Sequence, residues 1–187
     1  MNIWHDIASE RISPESFYAV IEIGKGGRVK YELDKETGIL VMDRVLYTST
    51  QYPGNYGFIP KTLADDNDPL DVLVLCSEAL IPLSLVQCYP IGVVLMLDDY
   101  EKDEKIIALP YGDPVYNTYT DIAGLPAHIA SEISHFFSVY KTLEGRHTAV
   151  EDIQGAEAAK KMIQRYMKAY QDFYDTPKTV AEADIGR

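Results

Sequence analysis

The sequence holds no apolar run long enough to cross a bilayer as a helix. It opens Met1-Asn2-Ile3-Trp4-His5-Asp6, with no basic region followed by an apolar stretch, so no secretory signal is expected. Cysteine is scarce, with two in 187 residues. Cys76 and Cys88 both fall in apolar, strand-like runs, where buried free thiols are expected rather than a disulfide. A cytoplasmic protein is the expectation.

Positive charge is also in deficit. Seventeen Lys and Arg face 29 Asp and Glu, for a net charge of −12. Such a chain is repelled by nucleic acid and by anionic membrane surfaces, so neither is expected as a partner. An anionic substrate could be held only by a local cationic cluster, or by metal ions on the protein's own carboxylates. Several catalytic signatures are missing. There is no G-x-x-x-x-G-K-[ST] phosphate loop and no G-x-S-x-G elbow. Gly24-Lys25-Gly26-Gly27 reads as a turn and is not a dinucleotide fingerprint. His5, His128, His135 and His147 lack metal-ligand spacing; His128 and His135 stand two helical turns apart, too far for a zinc pair. Cys76 and Cys88, expected to be buried, are poor nucleophiles.

What is present is a globular balance, 47% apolar and 25% charged, with 14 tyrosines. One domain over residues 1–187 is expected, with 1–16 a polar lead-in and 175–187 a loosely held tail. Phe17–Ile23 is rich in β-branched and aromatic residues and predicts a strand; Arg28–Leu33 predicts a second, joined to it as a hairpin. Further strands are expected at Ile39–Met42, Leu70–Leu75, Leu85–Leu97 and Lys105–Leu109, with turns between them, notably over Tyr52–Pro60. The last third changes period. Ile129, Ile133, Phe136, Phe137 and Tyr140 recur at helical spacing within Pro126–Leu143. A second helix is expected over Ala156–Tyr174, with Met162, Ile163, Tyr166, Tyr170 and Phe173 on its apolar side. Strands first and helices later predict an α+β fold: a small closed or nearly closed antiparallel barrel, OB-like, flanked by two C-terminal helices.

The sharpest local feature is Asp65-Asp66-Asn67-Asp68-Pro69-Leu70-Asp71, directly before the apolar run Val72–Leu75. Its carboxylates repel one another and cannot all be buried uncompensated. Standing alone it reads as an acidic surface loop; a rigid turn holding a hard divalent cation is the other reading. It is no EF-hand, because the sixth position from Asp66 is Asp71 rather than Gly and the twelfth is Ser77 rather than Glu. A second acidic cluster, Asp98-Asp99-Tyr100-Glu101-Lys102-Asp103-Glu104, also sits between apolar strands. Two such turns at one end of a barrel would let their carboxylates hold paired metal ions, an arrangement suited to phosphoryl transfer. The cations are scattered. Lys30 and Glu32 alternate on a strand and so share a face, which Glu22 on the preceding strand can share. Arg44 follows the next strand, Lys105 follows the second acidic cluster, and Tyr140-Lys141 closes the first helix. Each alone reads as a solvated side chain; the combination carries the case. The tyrosines of the 52–60 turn either pack the core or offer hydroxyls to a carboxylate or phosphate.

At this point the residues resemble a known family. Asp66-Asn67-Asp68-Pro69-Leu70-Asp71-Val72 is similar to the signature of the soluble family I inorganic pyrophosphatases. Around it, in order, lie Lys30-Tyr31-Glu32 with Asp34 and Gly38, Asp43-Arg44, Tyr52-Pro53 with Asn55-Tyr56-Gly57, Asp98, Asp103 and Lys105, and His135-Phe136-Phe137 with Tyr140-Lys141. The likeness covers roughly residues 17–143. It implies hydrolysis of inorganic pyrophosphate by direct attack of water, with several Mg²⁺ per site and Mn²⁺ or Zn²⁺ as substitutes. It implies Asp66, Asp71 and Asp103 as ligands of the first ion, Asp71 bridging to a second, and Asp98, Asp103 and Glu32 serving further ions. Asp68 is implied as general base, and Lys30, Arg44, Lys105, Tyr140 and Lys141 as holders of phosphate oxygens. Glu22 and Tyr56 are implied in support, Tyr56 orienting a metal carboxylate. A homohexamer is implied as well. The chain departs from the pattern over Glu144–Asp152, where many relatives carry a strand containing Lys and Trp; here Trp4 is the one tryptophan. Three rivals remain: the same chemistry on a nucleotide or polyphosphate, a barrel that binds metal without turnover, and an oligonucleotide-binding barrel, which the net acidity opposes.

Overall fold

The computed structural model describes residues 2–175. The expected loose tail lies, beyond Asp175, outside the described residues. Among the described residues nine strands form: β1 (Phe17–Ile23), β2 (Val29–Leu33), β3 (Leu40–Val45), β4 (Asn55–Phe58), β5 (Asp71–Val74), β6 (Leu85–Asp98), β7 (Glu101–Lys102), β8 (Lys105–Pro110) and β9 (Thr148–Gly155). Two helices follow the barrel strands, α1 (Ala127–Val139) and α2 (Ala156–Tyr170).

Five strands close a ring in the order β1–β4–β5–β8–β6, with β6 returning to pair β1. Four junctions are antiparallel and one, β5–β8, is parallel. The closed barrel flanked by two helices is as expected, and only its antiparallel character needs correction at one junction, on a point of parity. A ring with an odd number of strands cannot alternate direction at every junction, so one pair must run parallel. The 14-residue β6 makes closure possible. Its start pairs β1, its middle pairs β8, and its far end pairs β9 and β7. The register slips between Pro90 and Gly92, where a proline that has no N–H to give sits at an irregularity of the ladder.

Most of the ring is buried on both faces, which explains its near-continuous apolar runs. Leu73, Ile107 and Leu109 pack toward Ile133, Phe136 and Phe137 of α1. Their neighbours Val72, Val74, Ile106 and Ala108 point the other way, toward Ala159, Ile163 and Tyr166 of α2. In β1 the register shift between Ile21 and Ile23 moves Ile23 to the α1 side while Ala19 and Ile21 face α2.

Other expectations need correction. β1 and β2 form no hairpin. Both edges of β1 are taken by β4 and β6, and the half-exposed β2 instead pairs β3 as a separate ribbon. The Gly24–Gly27 turn is pinned to Tyr52, whose O accepts from Gly26 N at 2.9 Å and whose N donates to Gly27 O at 3.0 Å. β4 lies inside the stretch expected to be turn. Asn55 makes this possible: its side-chain oxygen accepts from Lys25 N (2.9 Å) and Leu80 N (2.7 Å), which satisfies loop donors from inside the core. β9 forms within and beyond the stretch lacking Trp, held by its ladder to β6. α1 ends at Val139, with a short 3₁₀ turn over Thr142–Glu144 in place of further α-helix. α2 ends at Tyr170 and passes into a π-helical turn over Gln171–Asp175, which leaves Phe173 exposed. The lead-in is not merely polar, because Trp4, Ile7 and Ile12 are buried.

Gly57 is where β1 and β4 come closest. A Cβ there would lie 1.8 Å from the carbonyl oxygen of Val20. Neither backbone can yield without opening the ring. Gly57→Ala is therefore expected to cost about 3 kcal/mol in urea denaturation. Gly112→Ala, with nothing within 4 Å of the added carbon, is expected to leave the midpoint in place. Equal midpoints for the two variants would refute the close-approach account.

Candidate active site

The parallel junction builds the site. Asp71 at the start of β5 stands opposite Lys105 at the start of β8. The acidic loop over residues 65–70 enters β5 and that over residues 99–104 leads into β8, so both lie at the same end of the ring. Lys105, almost wholly buried, donates to Asp71 Oδ2 (2.7 Å), Asp103 Oδ1 (2.8 Å) and the Tyr56 hydroxyl (3.0 Å). Those three partners match the three donors of an ammonium. Burial pulls Lys105 toward the neutral form, but Asp103 and Asp71 outweigh it and raise its pKa well above the ordinary lysine value. Tyr56 donates to Asp71 Oδ2 at 2.5 Å. Burial first and the Asp71 charge second push its hydroxyl well above the ordinary tyrosine value, so it remains a donor.

The other cations sit on carboxylates in the same way. Lys141, itself buried, pairs with Asp98, and Arg146 reaches the other Asp98 oxygen at 3.5 Å. Burial lowers Lys141 below its usual value in spite of Asp98. Lys30 pairs with Glu32 and lies 3.5 Å from Asp43. Arg44 pairs with Asp43 and with Glu144 at 2.9 Å. Asp68 pairs with Lys35. Its N–H donates to Asp66 Oδ1 (3.0 Å), closing a tight turn in which Asn67 takes a left-handed φ of 67°. Loss of water raises the Asp66 carboxyl, and the charges of Asp71, Asp68 and Asp103 add to it, outweighing the bond from Asp68 N–H.

These side chains surround a cleft of about 270 Å³. Glu22, Lys30, Glu32, Tyr56, Asp66, Asp68, Asp71, Asp98, Asp103, Lys105, Tyr140 and Lys141 all line it. Arg44 does not; it is held off the wall by Asp43 and Glu144. Tyr31 and Tyr52, quoted in the sequence pattern, line the cleft too, and Trp4 and Lys35 do so without having been sequence candidates. Lys35 and Trp4 carry no local motif, since it is the packing of the lead-in among Val20, Phe58, Leu63 and Tyr170 that brings Trp4 there. The indole Nε1 donates to Thr62 O at 2.9 Å.

The donor set fits a hard divalent cation. It is all oxygen, and the Asp66 carboxyl is destabilised by neighbouring charges that a cation would offset. Among the described residues, no three His, Cys, Asp or Glu side chains are already closed around one point. The carboxylates are turned to ammonium groups instead.

Glu22 shows the electrostatic cost of the site. It is buried, with Oε1 accepting from Leu33 N at 2.8 Å. Its pKa is pushed up from 4.5 to about 8, by burial first and the Asp71 charge second. The folded protein keeps a proton that the unfolded chain releases near pH 4.5. Stability from this group is therefore fully present below that pH and is lost as pH rises through about 8. In chelator, the wild-type protein is expected to lose more stability between pH 5 and pH 8 than Glu22→Gln, measured by urea denaturation at each pH. Parallel curves would clear Glu22 of this cost.

Comparison with known proteins gives one consistent result. The family model described as inorganic pyrophosphatase matches residues 19–171. Soluble inorganic pyrophosphatase 2 of Chlamydomonas reinhardtii is 48% identical over 171 residues, covering 91% of this chain and 89% of that one. Soluble inorganic pyrophosphatase 1 of Arabidopsis thaliana is 48% identical over 170 residues, covering 91% and 80%. Among solved structures, the inorganic pyrophosphatase from Thermus thermophilus matches with a TM-score of 0.87 at 36% identity, covering 91% of this chain and 99% of that one. With the ring, the two acidic loops and the cleft between them in place, the chain belongs to the inorganic pyrophosphatase family.

Proposed function

We propose that this protein hydrolyses inorganic pyrophosphate to two orthophosphates with Mg²⁺, by direct in-line attack of water. The observation that best supports this is the pairing inside the cleft. Each lysine read as a phosphate holder sits on carboxylates read as metal ligands: Lys30 on Glu32, Lys105 on Asp71 and Asp103, Lys141 on Asp98. Asp66, Asp71 and Asp103 would hold the first ion, with Asp71 shared with a second, while Asp98, Asp103 and Glu32 would serve further ions. When bound, Mg²⁺ would lower the pKa of the attacking water and neutralise phosphate charge. Once the carboxylates serve cations, the ammonium groups of Lys30, Lys105 and Lys141 are free for phosphate oxygens. Mn²⁺ and Zn²⁺ suit the same oxygen donors.

Asp68 takes the proton from the attacking water. The water oxygen bonds to one phosphorus as the bond from that phosphorus to the bridging oxygen breaks. One orthophosphate departs with its charge held by Lys30, Lys105, Tyr140 and Lys141, while Arg44, off the cleft wall, would join them only by leaving Asp43 and Glu144. Tyr56 orients Asp71 through its hydroxyl, and Glu22 steadies the end of β2 through Leu33 N. No covalent nucleophile is needed.

The same reading includes a cytoplasmic location and a homo-oligomer, a hexamer by family resemblance. Among the described residues no helix is long and apolar enough to cross a membrane, and the Chlamydomonas and Arabidopsis relatives are named soluble. Ile39, Val41, Met42, Val45 and Tyr47, on and beside β3, stand between 46% and 64% exposed, an apolar strip that a second copy would cover. Light scattering is expected to give a multiple of the single-chain mass; a monomer at micromolar concentration would end the oligomer reading.

Phosphate release from pyrophosphate by the purified protein tests the function. Fast release with Mg²⁺, little from ATP and none in excess chelator is the expected pattern. Asp68→Asn is expected to keep metal binding and lose turnover by about a hundredfold or more. Near wild-type kcat would remove Asp68 as the base. Absence of release with any divalent metal would put binding without turnover first.

A further inference from the structure

The two acidic loops are tied together from behind, on the face away from the cleft. Asp65 and Glu104 each adjoin a residue read as a metal ligand, Asp66 and Asp103. The alternation of the chain sends Glu104 toward α2 while Asp103 and Lys105 meet in the cleft. Tyr166, on α2 and buried against Leu70, Val72 and Ile106, donates its hydroxyl to Glu104 Oε2 at 2.8 Å. The same hydroxyl lies 3.4 Å from Asp65 Oδ2. Arg165 next to it grips both Asp65 oxygens, at 2.8 and 3.1 Å, with its guanidinium carbon 4.9 Å above the Tyr166 ring. Leu63 N, at the root of the first loop, donates to Tyr166 O at 3.0 Å.

We infer that Tyr166 and Arg165 are positioning residues, which set the spacing of the two acidic loops and through it the affinity of their carboxylates for a divalent cation. The inference rests on the metal reading given above. A hydroxyl has one proton, and here it serves Glu104. Burial first and the bond to Glu104 second hold that proton in place. Among the described residues Tyr166 is Glu104's one hydrogen-bond donor, and Arg165 neutralises Asp65. Without the pair, two carboxylates from different loops face each other with no donor or cation between them. Like charges at such range drive the loops apart, and Asp66 and Asp103 move with them.

The test is calorimetric titration of Mg²⁺ into the full chain without substrate. Tyr166→Phe keeps the ring and removes the hydroxyl; its Kd for Mg²⁺ is expected to rise about tenfold or more. Arg165→Met separates positioning from bulk charge. Its side chain is half exposed, so the fold is not at risk. Removing a cation beside a cation site should by charge alone tighten Mg²⁺ binding, whereas loss of positioning weakens it, by about two- to threefold. Tyr170→Phe is the control. It loses a buried hydroxyl of the same helix that bonds His5 and neither loop, and its Kd is expected to match wild type. Wild-type affinity in Tyr166→Phe, tighter binding in Arg165→Met, or an equal loss in Tyr170→Phe would each overturn the inference and leave the metal reading standing. A wild-type protein that takes up no divalent cation would overturn both.

Discussion

Five strands joined edge to edge in a ring cannot all run opposite to their neighbours, and in this protein the odd pair is β5 with β8. The meeting of the two acidic loops follows from that pair. Two strands that run the same way begin at the same end, so the loops that lead into them meet there. Both loops are acidic, and the register sets Asp71 opposite Lys105. Had this junction been antiparallel, the two clusters would stand at opposite ends of the ring and neither would have a partner.

Crowding carboxylates at one end of a barrel requires compensation, and the structure shows how it is met. A buried lysine divides its three donors between two aspartates and a tyrosine. Lys141 and Lys35 each take one acidic partner, and Lys30 stands between Glu32 and Asp43. The net charge of −12 and an anionic substrate are then compatible. Cations are few, but they are concentrated where the carboxylates are, and divalent ions on those carboxylates would turn an acidic cleft into an anion site. Burial first, and the Asp71 charge second, leave Glu22 holding a proton that a solvated glutamate would lose.

Much of the site was legible because it is written in short segments. The Asp66–Asp71 loop, the Lys30/Glu32 alternation and the Tyr140-Lys141 pair are local patterns, and the three loop carboxylates Asp66, Asp68 and Asp71 line the cleft with Lys30, Glu32, Tyr140 and Lys141. The long apolar runs of β1, β6 and β8 were legible for the same reason. What was not legible depended on distant partners. β4 reads as turn because it contains Asn and Gly, yet Gly57 is needed where two backbones nearly touch, and Asn55 is needed to satisfy loop donors. β9 carries Glu151 and Asp152 and gains strand geometry from the far end of β6. Arg44 sits in the sequence like its fellow candidates, but Asp43 and Glu144 draw it off the wall.

By itself the sequence determined the elements whose burial is written in their own periodicity and the residue types gathered in each loop. Those depend on short-range sterics and on the repulsion of like charges a few residues apart. Only the tertiary structure decided which strands are neighbours, which strand pair runs parallel and which cation stands on which carboxylate. It alone brought Trp4 and Lys35 to the cleft, and it alone set Tyr166 behind both acidic loops. Those choices turn on closing a ring and filling the space between it and two helices, and no window of sequence contains both sides of such a contact.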